Sequence, residues 1–181
     1  MRHYNEKERT IDFTSPIVRD WHRNITMQYK PKLPVCFVPC TKVKPFTDSI
    51  TFKSFLATLI RKHNKTVEIV ILDEPFGVVP LDKADELPDY NFPVETLTEQ
   101  DYDLWSNYVD DWLCYNVKSK WIVYCLYPYH LNLLKRLTAP KKFRGAMVEN
   151  QSLAFAGDFV TKYIERMSKR PDWTTQHLYN R

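Results

Sequence analysis

Apolar residues recur at helical spacing in three stretches of the chain, and short apolar runs separate them. After Ser15-Pro16, a cap with proline at the first helical position, Ile17, Trp21 and Ile25 mark one face of a helix predicted through about residue 29. Pro31 and Pro34 stop it, and Val35-Cys36-Phe37-Val38 is a β-favouring run of the kind buried in a parallel sheet. From Asp48 or Ser49 as cap, Phe52, Phe55, Leu56, Leu59 and Ile60 predict a second helix with a basic last turn at Arg61, Lys62 and His63. Residues 67–72 form a second buried strand. Residues 73–94, broken by Pro75, Gly77, Pro80, Pro88 and Pro93, read as a long irregular connection of the kind that carries function. Thr98 and Asp101 then form a capping box ahead of Tyr102, Trp105, Val109, Trp112, Leu113 and Val117 on a third helix. Residues 121–126 are a third strand, residues 127–130 a turn into a short helix to about residue 137, residues 143–148 a fourth strand, and residues 152–167 a closing helix.

Strands that alternate with helices predict an α/β fold, a three-layer sandwich around a small, mainly parallel four-stranded sheet. The order of elements is similar to that of the uracil-DNA glycosylase group. In such sheets ligands bind outside the carboxyl ends of the strands, where strand order reverses. That rule gathers four loops at one rim: residues 39–47, 73–80, 127–130 and 149–151.

The length of 181 residues suits one domain, with a polar extension over residues 1–14 and a basic tail over residues 168–181. A net charge of +4 permits contact with nucleic acid without requiring it. No apolar run approaches a membrane span and no leader pattern opens the chain, so the expected setting is the cytoplasm, away from membranes. The four cysteines lack zinc-ribbon spacing, which predicts neither a metal site nor a disulfide framework. With only three glycines there is no phosphate cradle and no dinucleotide fingerprint, and no cofactor is expected.

One segment concentrates chemistry. Phe37-Val38-Pro39-Cys40-Thr41-Lys42-Val43-Lys44-Pro45-Phe46-Thr47-Asp48-Ser49 brings a thiol, two ammonium groups and a helix N-terminus together, a combination that attracts anions and favours a thiolate. It resembles the Pro-Cys-x3-Lys-Pro-aromatic-x2-Ser motif in the C-terminal region of archaeosine synthase, a relative of the archaeal tRNA-guanine transglycosylases. Glu74-Pro75-Phe76-Gly77-Val78-Val79-Pro80-Leu81-Asp82 looks like that family's second motif, and Pro88-x-Tyr90-x-x-Pro93-Val94 extends the likeness. The match spans about residues 35–95. The family motif continues to a histidine after the serine, where this chain has Thr51 and Phe52, and the transglycosylase-like and RNA-binding companion domains are missing.

The resemblance implies attack of an amine, free lysine in the family, on the nitrile carbon of a 7-cyano-7-deazaguanine base in tRNA, with modified DNA as a variant substrate. A radical S-adenosylmethionine enzyme or a transglycosylase is the implied partner. Within that reading Cys40, Lys44, Glu74 and Asp82 are the catalytic candidates: Cys40 for a thioimidate adduct, Lys44 to depress the thiol pKa or hold phosphate, and Glu74 or Asp82 to protonate nitrogen or orient the amine. Pro39, Lys42, Pro45, Phe46, Ser49, Phe76, Gly77, Pro80, Tyr90 and His130 are the substrate-binding candidates. Phe46 or Tyr90 would stack on the base, and His130 would replace the missing histidine.

Plainer readings stand beside these. Cys40 is equally a packed thiol that shapes a turn, Glu74 a loop-surface acid and Lys42 a solvated lysine. Cys36, Cys114 and Cys125 are structural. Two other functions fit the same pattern: a non-catalytic accessory domain that grips nucleic acid or a transglycosylase, and a uracil-DNA glycosylase-like protein that flips a base.

Overall fold

The computed structural model describes residues 11–173, except 42, 91, 93–96, 118–120, 125, 127–129, 131–132, 139–143 and 148–152. Five strands form one sheet: β1 (Val35–Pro39), β2 (Glu68–Asp73), β3 (Gly77–Pro80), β4 (Trp121–Tyr124) and β5 (Arg144–Met147), in the order β3-β2-β1-β4-β5. Four of them are parallel, as the alternation of strand and helix requires. The fifth, β3, runs antiparallel against β2, with Asp73 opposite Gly77 and Val70 opposite Pro80. It lies inside the stretch expected to be irregular. Pro80 lacks an N–H, and an edge strand is where a sheet tolerates that.

The long helices among the described residues are α1 (Pro16–Gln28), α2 (Ile50–His63), α3 (Glu99–Asn116) and α4 (Leu153–Met167). Alternate residues of β1, β2 and β4 face opposite layers, because successive side chains in a strand point to opposite faces. Cys36, Val38, Ile69, Ile71, Trp121 and Val123 pack in one core with Phe52 and Leu59 of α2 and Val160 and Ile164 of α4. Val35, Phe37, Val70, Leu72, Ile122 and Tyr124 pack in the other with Trp105, Val109, Trp112 and Leu113 of α3. α1 reaches both cores, through Val18 and Ile25. The three-layer α/β sandwich therefore follows from runs of residues buried on both faces.

The caps agree with the sequence pattern in part. Ser49 accepts the Phe52 amide at 3.4 Å and starts α2. Thr98 and Asp101 exchange the hydrogen bonds of a full capping box at α3. Ser15 precedes α1 without a side-chain cap, and Asp12 instead gathers the Thr14 amide and the hydroxyls of Thr14 and Ser15. Residues at the inner ends of the predicted extension and tail pack into the domain. Ile11 and Phe13 are buried, and Trp173 is buried with its indole N–H donating to the Thr66 carbonyl at 3.2 Å.

No helix among the described residues is long and apolar enough to cross a membrane.

Candidate functional site

β1 has β2 on one side and β4 on the other, so strand order reverses at β1 and a crevice opens beyond its carboxyl end. Three side chains from the loops leaving those three strands meet there. The backbone amide of Cys40 donates to the Leu72 carbonyl at 3.0 Å, which continues the β1–β2 ladder one residue further and fixes where the thiol starts. Cys40 Sγ lies 3.7 Å from Glu74 Oε2, to which it donates, and 3.6 Å from His130 Nε2. His130 Nε2 lies 3.8 Å from Glu74 Oε1. Glu74 and His130 are buried, whereas Cys40 is half-buried.

A second layer of polar groups supports the first. Lys44 Nζ donates to the Thr41 carbonyl at 2.8 Å and to Asp73 Oδ1 at 3.1 Å. The same ammonium sits 3.8 Å from the centre of the Phe46 ring and 4.8 Å from that of Tyr90, so two aromatic faces and a carboxylate enclose it. The Tyr90 hydroxyl donates to the other Asp73 oxygen in a short hydrogen bond, and the Trp105 indole of α3 donates to the Asp73 carbonyl at 2.9 Å.

The Pro75–Gly77 turn is held from outside the sheet. His22 Nε2 is 3.0 Å from the Pro75 carbonyl, the His22 ring stacks on Tyr108, and the Trp21 indole donates to the Val78 carbonyl at 3.1 Å. Gly77 has φ +69°, and a Cβ there would lie 2.6 Å from the Tyr108 ring. Glu74 therefore projects from a turn that helices α1 and α3 hold in place.

Burial decides the protonation of the three meeting groups. It raises the Cys40 thiol well above its ordinary range, and the Glu74 and Asp73 carboxylates add to that while Lys44 opposes it weakly. Burial, with the nearby Asp73 charge, raises Glu74 to about 8. Burial and then the Lys44 charge lower His130 to about 4. At neutral pH all three are uncharged. The thiolate-favouring pocket expected from the sequence is thus corrected: the cation that was to depress the thiol is paired with Asp73, and desolvation wins.

The other candidates divide between the site and its supports. Phe46 and Tyr90 are buried under the Lys44 ammonium, which removes both from base stacking. Ser49 caps α2, Phe76 packs edge-on against Trp21 and Tyr90, and Gly77 serves the turn. Pro39 and Pro80 are paired in the sheet, and Pro45 opens the 3-10 turn at Phe46. Asp82 is not brought to the site: β3 turns the chain back beside β2, and Asp82 is exposed beyond its end, near Glu68 at the opposite end of the strands. Lys42, the turn residues 127–129, the rim loop 149–151 and residues 93–94 of the third motif lie outside the described residues. Asp73 was missed. Its signal is local, a carboxylate ending a buried apolar strand at the ligand-binding edge.

Fold and site together define an α/β domain whose half-buried thiol stands beside a carboxyl group and an imidazole at a topological switch point. The chain belongs to the family described as "Domain of unknown function (DUF5591)", which matches residues 18–140. Comparison with curated proteins finds no match. Among solved structures the chain is similar to one described as "Crystal structure of AF0587, a protein of unknown function", at 15% identity and a TM-score of 0.59, over 83% of this chain and 50% of that one. At that identity the likeness shows the fold, and this chain spans about half the length of that protein.

Proposed function

We propose that this chain is an archaeosine-synthase-like module that adds an amine to the nitrile carbon of a 7-cyano-7-deazaguanine base in tRNA, with Cys40 as nucleophile. The observation that carries the reading is the meeting of Cys40, Glu74 and His130 from three separate loops within 3.6–3.8 Å. A nitrile needs a nucleophile for its carbon and a proton for its nitrogen, and this cluster offers both. The thiol S–H adds across the triple bond: sulfur bonds to carbon, and the thiol proton passes through Glu74 or His130 to nitrogen, giving a thioimidate. An amine then adds to the same carbon. The C–S bond breaks, sulfur leaves and regains a proton, and the product is an amidine. His130 supplies the imidazole that the family motif carries after its serine. The net charge of +4 suits a tRNA substrate in the cytoplasm, and the radical S-adenosylmethionine enzyme implied by the resemblance would complete the base.

A second reading rests on Lys44. Its commitment to Asp73, rather than to the thiol, favours an accessory domain that keeps the motif for shape and grips nucleic acid or a transglycosylase. The two are separated by mass spectrometry of nucleosides after incubation with nitrile-bearing tRNA and candidate amines. The catalytic reading expects an amidine product that disappears in Cys40→Ala. Product formation undiminished in that variant overturns it, and tRNA binding without any product supports the accessory reading.

A further inference from the structure

We infer that Cys40, Glu74 and His130 form a three-ligand site for a divalent cation of the zinc type. A tetrahedral zinc ion with bonds of about 2.3 Å to sulfur and 2.0–2.1 Å to nitrogen and oxygen holds its ligand atoms roughly 3.3–3.6 Å apart. The corresponding separations here are 3.6 Å from Sγ to Nε2, 3.7 Å from Sγ to a Glu74 oxygen and 3.8 Å from Nε2 to the other Glu74 oxygen. One ligand atom from each residue can be chosen so that all three lie within 4.8 Å of one another. The sulfur-to-nitrogen and sulfur-to-oxygen separations are within a few tenths of an ångström of coordination geometry, and bringing a single Glu74 oxygen to both partners takes a reorientation of its carboxylate. These adjustments require no change of strand or helix.

An independent observation points the same way. Glu74 is 4% exposed, and its Oε1 is buried without a hydrogen bond. A buried carboxyl oxygen left without a hydrogen bond is costly, and a cation bound beside it by its neighbours would satisfy it. Thiolate, imidazole and carboxylate together are the donor set that zinc accepts in catalytic sites, where three protein ligands leave a position for water or substrate. Cysteine spacing gives no hint of it, because the ligands come from loops after β1, β2 and β4 and only the fold assembles them.

Binding displaces the thiol proton, so the sulfur becomes a ligand and its nucleophilic electron pair is committed to the metal. This consequence alone rests on the nitrile reading: zinc and the nitrile carbon compete for one atom, and the loaded protein forms no thioimidate. The metal site itself needs no substrate.

The full chain, freed of metal with a chelator and titrated with cobalt(II) and then zinc(II), tests the site without tRNA or nitrile. One equivalent of cobalt should bind and produce a sulfur-to-cobalt charge-transfer band, which zinc then removes. The band should vanish in Cys40→Ser, and Glu74→Gln and His130→Ala should each weaken binding at least tenfold, with circular dichroism reporting that the fold persists. Zinc should also protect Cys40 from iodoacetamide while exposed Cys114 stays reactive as an internal reference. No cobalt band at micromolar metal, or equal affinity in the near-isosteric Glu74→Gln, overturns the assignment. Loss of nitrile chemistry with intact metal binding leaves it standing and removes only the competition.

Discussion

His130 Nε2 lies 3.6 Å from Cys40 Sγ although 90 residues separate them in sequence. An imidazole at that distance from a thiol is placed to take its proton in one step, and with its basicity lowered by burial the contribution expected is the low end of general-base catalysis, about 10² in rate. In metal-free protein, His130→Ala is therefore expected to slow adduct formation with nitrile-bearing tRNA by that factor. Rapid quenching with intact-mass analysis measures it directly. A rate within twofold of the parent would remove His130 from the chemistry.

Lys44 and Asp73 behave as one buried unit, with side-chain exposures of 10% and 1%. Removing one partner of such a pair leaves an uncompensated charge and costs about 3–5 kcal/mol. Lys44→Met and Asp73→Asn are each expected to lose that much stability in urea unfolding. The double variant should lose less than the sum, because no lone charge remains. Additive losses would show that the two do not depend on each other. It also follows that a Lys44 variant reports on folding before it reports on chemistry.

The four parallel strands and the four helices that pack on them were legible because their signals are local. Residues such as Val35–Val38 form an apolar run with the same meaning in any context, and Thr98 with Asp101 carries its cap within four residues. What escaped depended on partners distant in sequence. β3 is four residues long and bracketed by Gly77 and Pro80, residues that read as loop until an edge position makes them acceptable. Missing that antiparallel return also misplaced Asp82, which the reversal carries to the opposite end of the strands. Lys44 read as a free cation beside a thiol because Asp73, its actual partner, lies 29 residues on. Each member of the Cys40–Glu74–His130 cluster was a candidate, Cys40 and Glu74 within the two motifs and His130 at the rim after the third strand, but their meeting depends on the order of strands.

Gly77 combines a positive φ with a close approach. A methyl group there would lie 2.6 Å from Cδ1 and Cε1 of Tyr108, and the backbone conformation is one that residues with a Cβ disfavour. Gly77→Ala is expected to cost on the order of 2–3 kcal/mol in urea unfolding, as backbone strain and steric overlap add. Introduced into the Tyr108→Ala background, Gly77→Ala should lose the steric part of its cost and retain roughly 1 kcal/mol of strain. If Gly77→Ala costs the same in both backgrounds, the contact with Tyr108 is not the source of the cost.

His22 makes the protein acid-sensitive at a place far from the thiol in sequence. Its ring stacks on Tyr108 and one nitrogen meets the Pro75 carbonyl at 3.0 Å; burial, which outweighs that hydrogen bond, lowers its pKa from 6.5 to about 4. A folded-state pKa below the unfolded one means that the unfolded chain takes up the proton first as pH falls. The stability tied to neutral His22 is therefore fully present above pH 6.5 and drains away as pH falls toward 4. His22→Phe keeps a stacking ring but does not titrate and gives up the hydrogen bond, so it should be less stable than the parent at pH 7 by about 1 kcal/mol. Between pH 6.5 and 4 the parent should lose on the order of 2 kcal/mol relative to the variant, and the two stability curves should cross. Urea midpoints measured at half-unit pH steps give the difference curve. A difference that stays flat across that window would mean that His22 is protonated alike in the folded and unfolded chain.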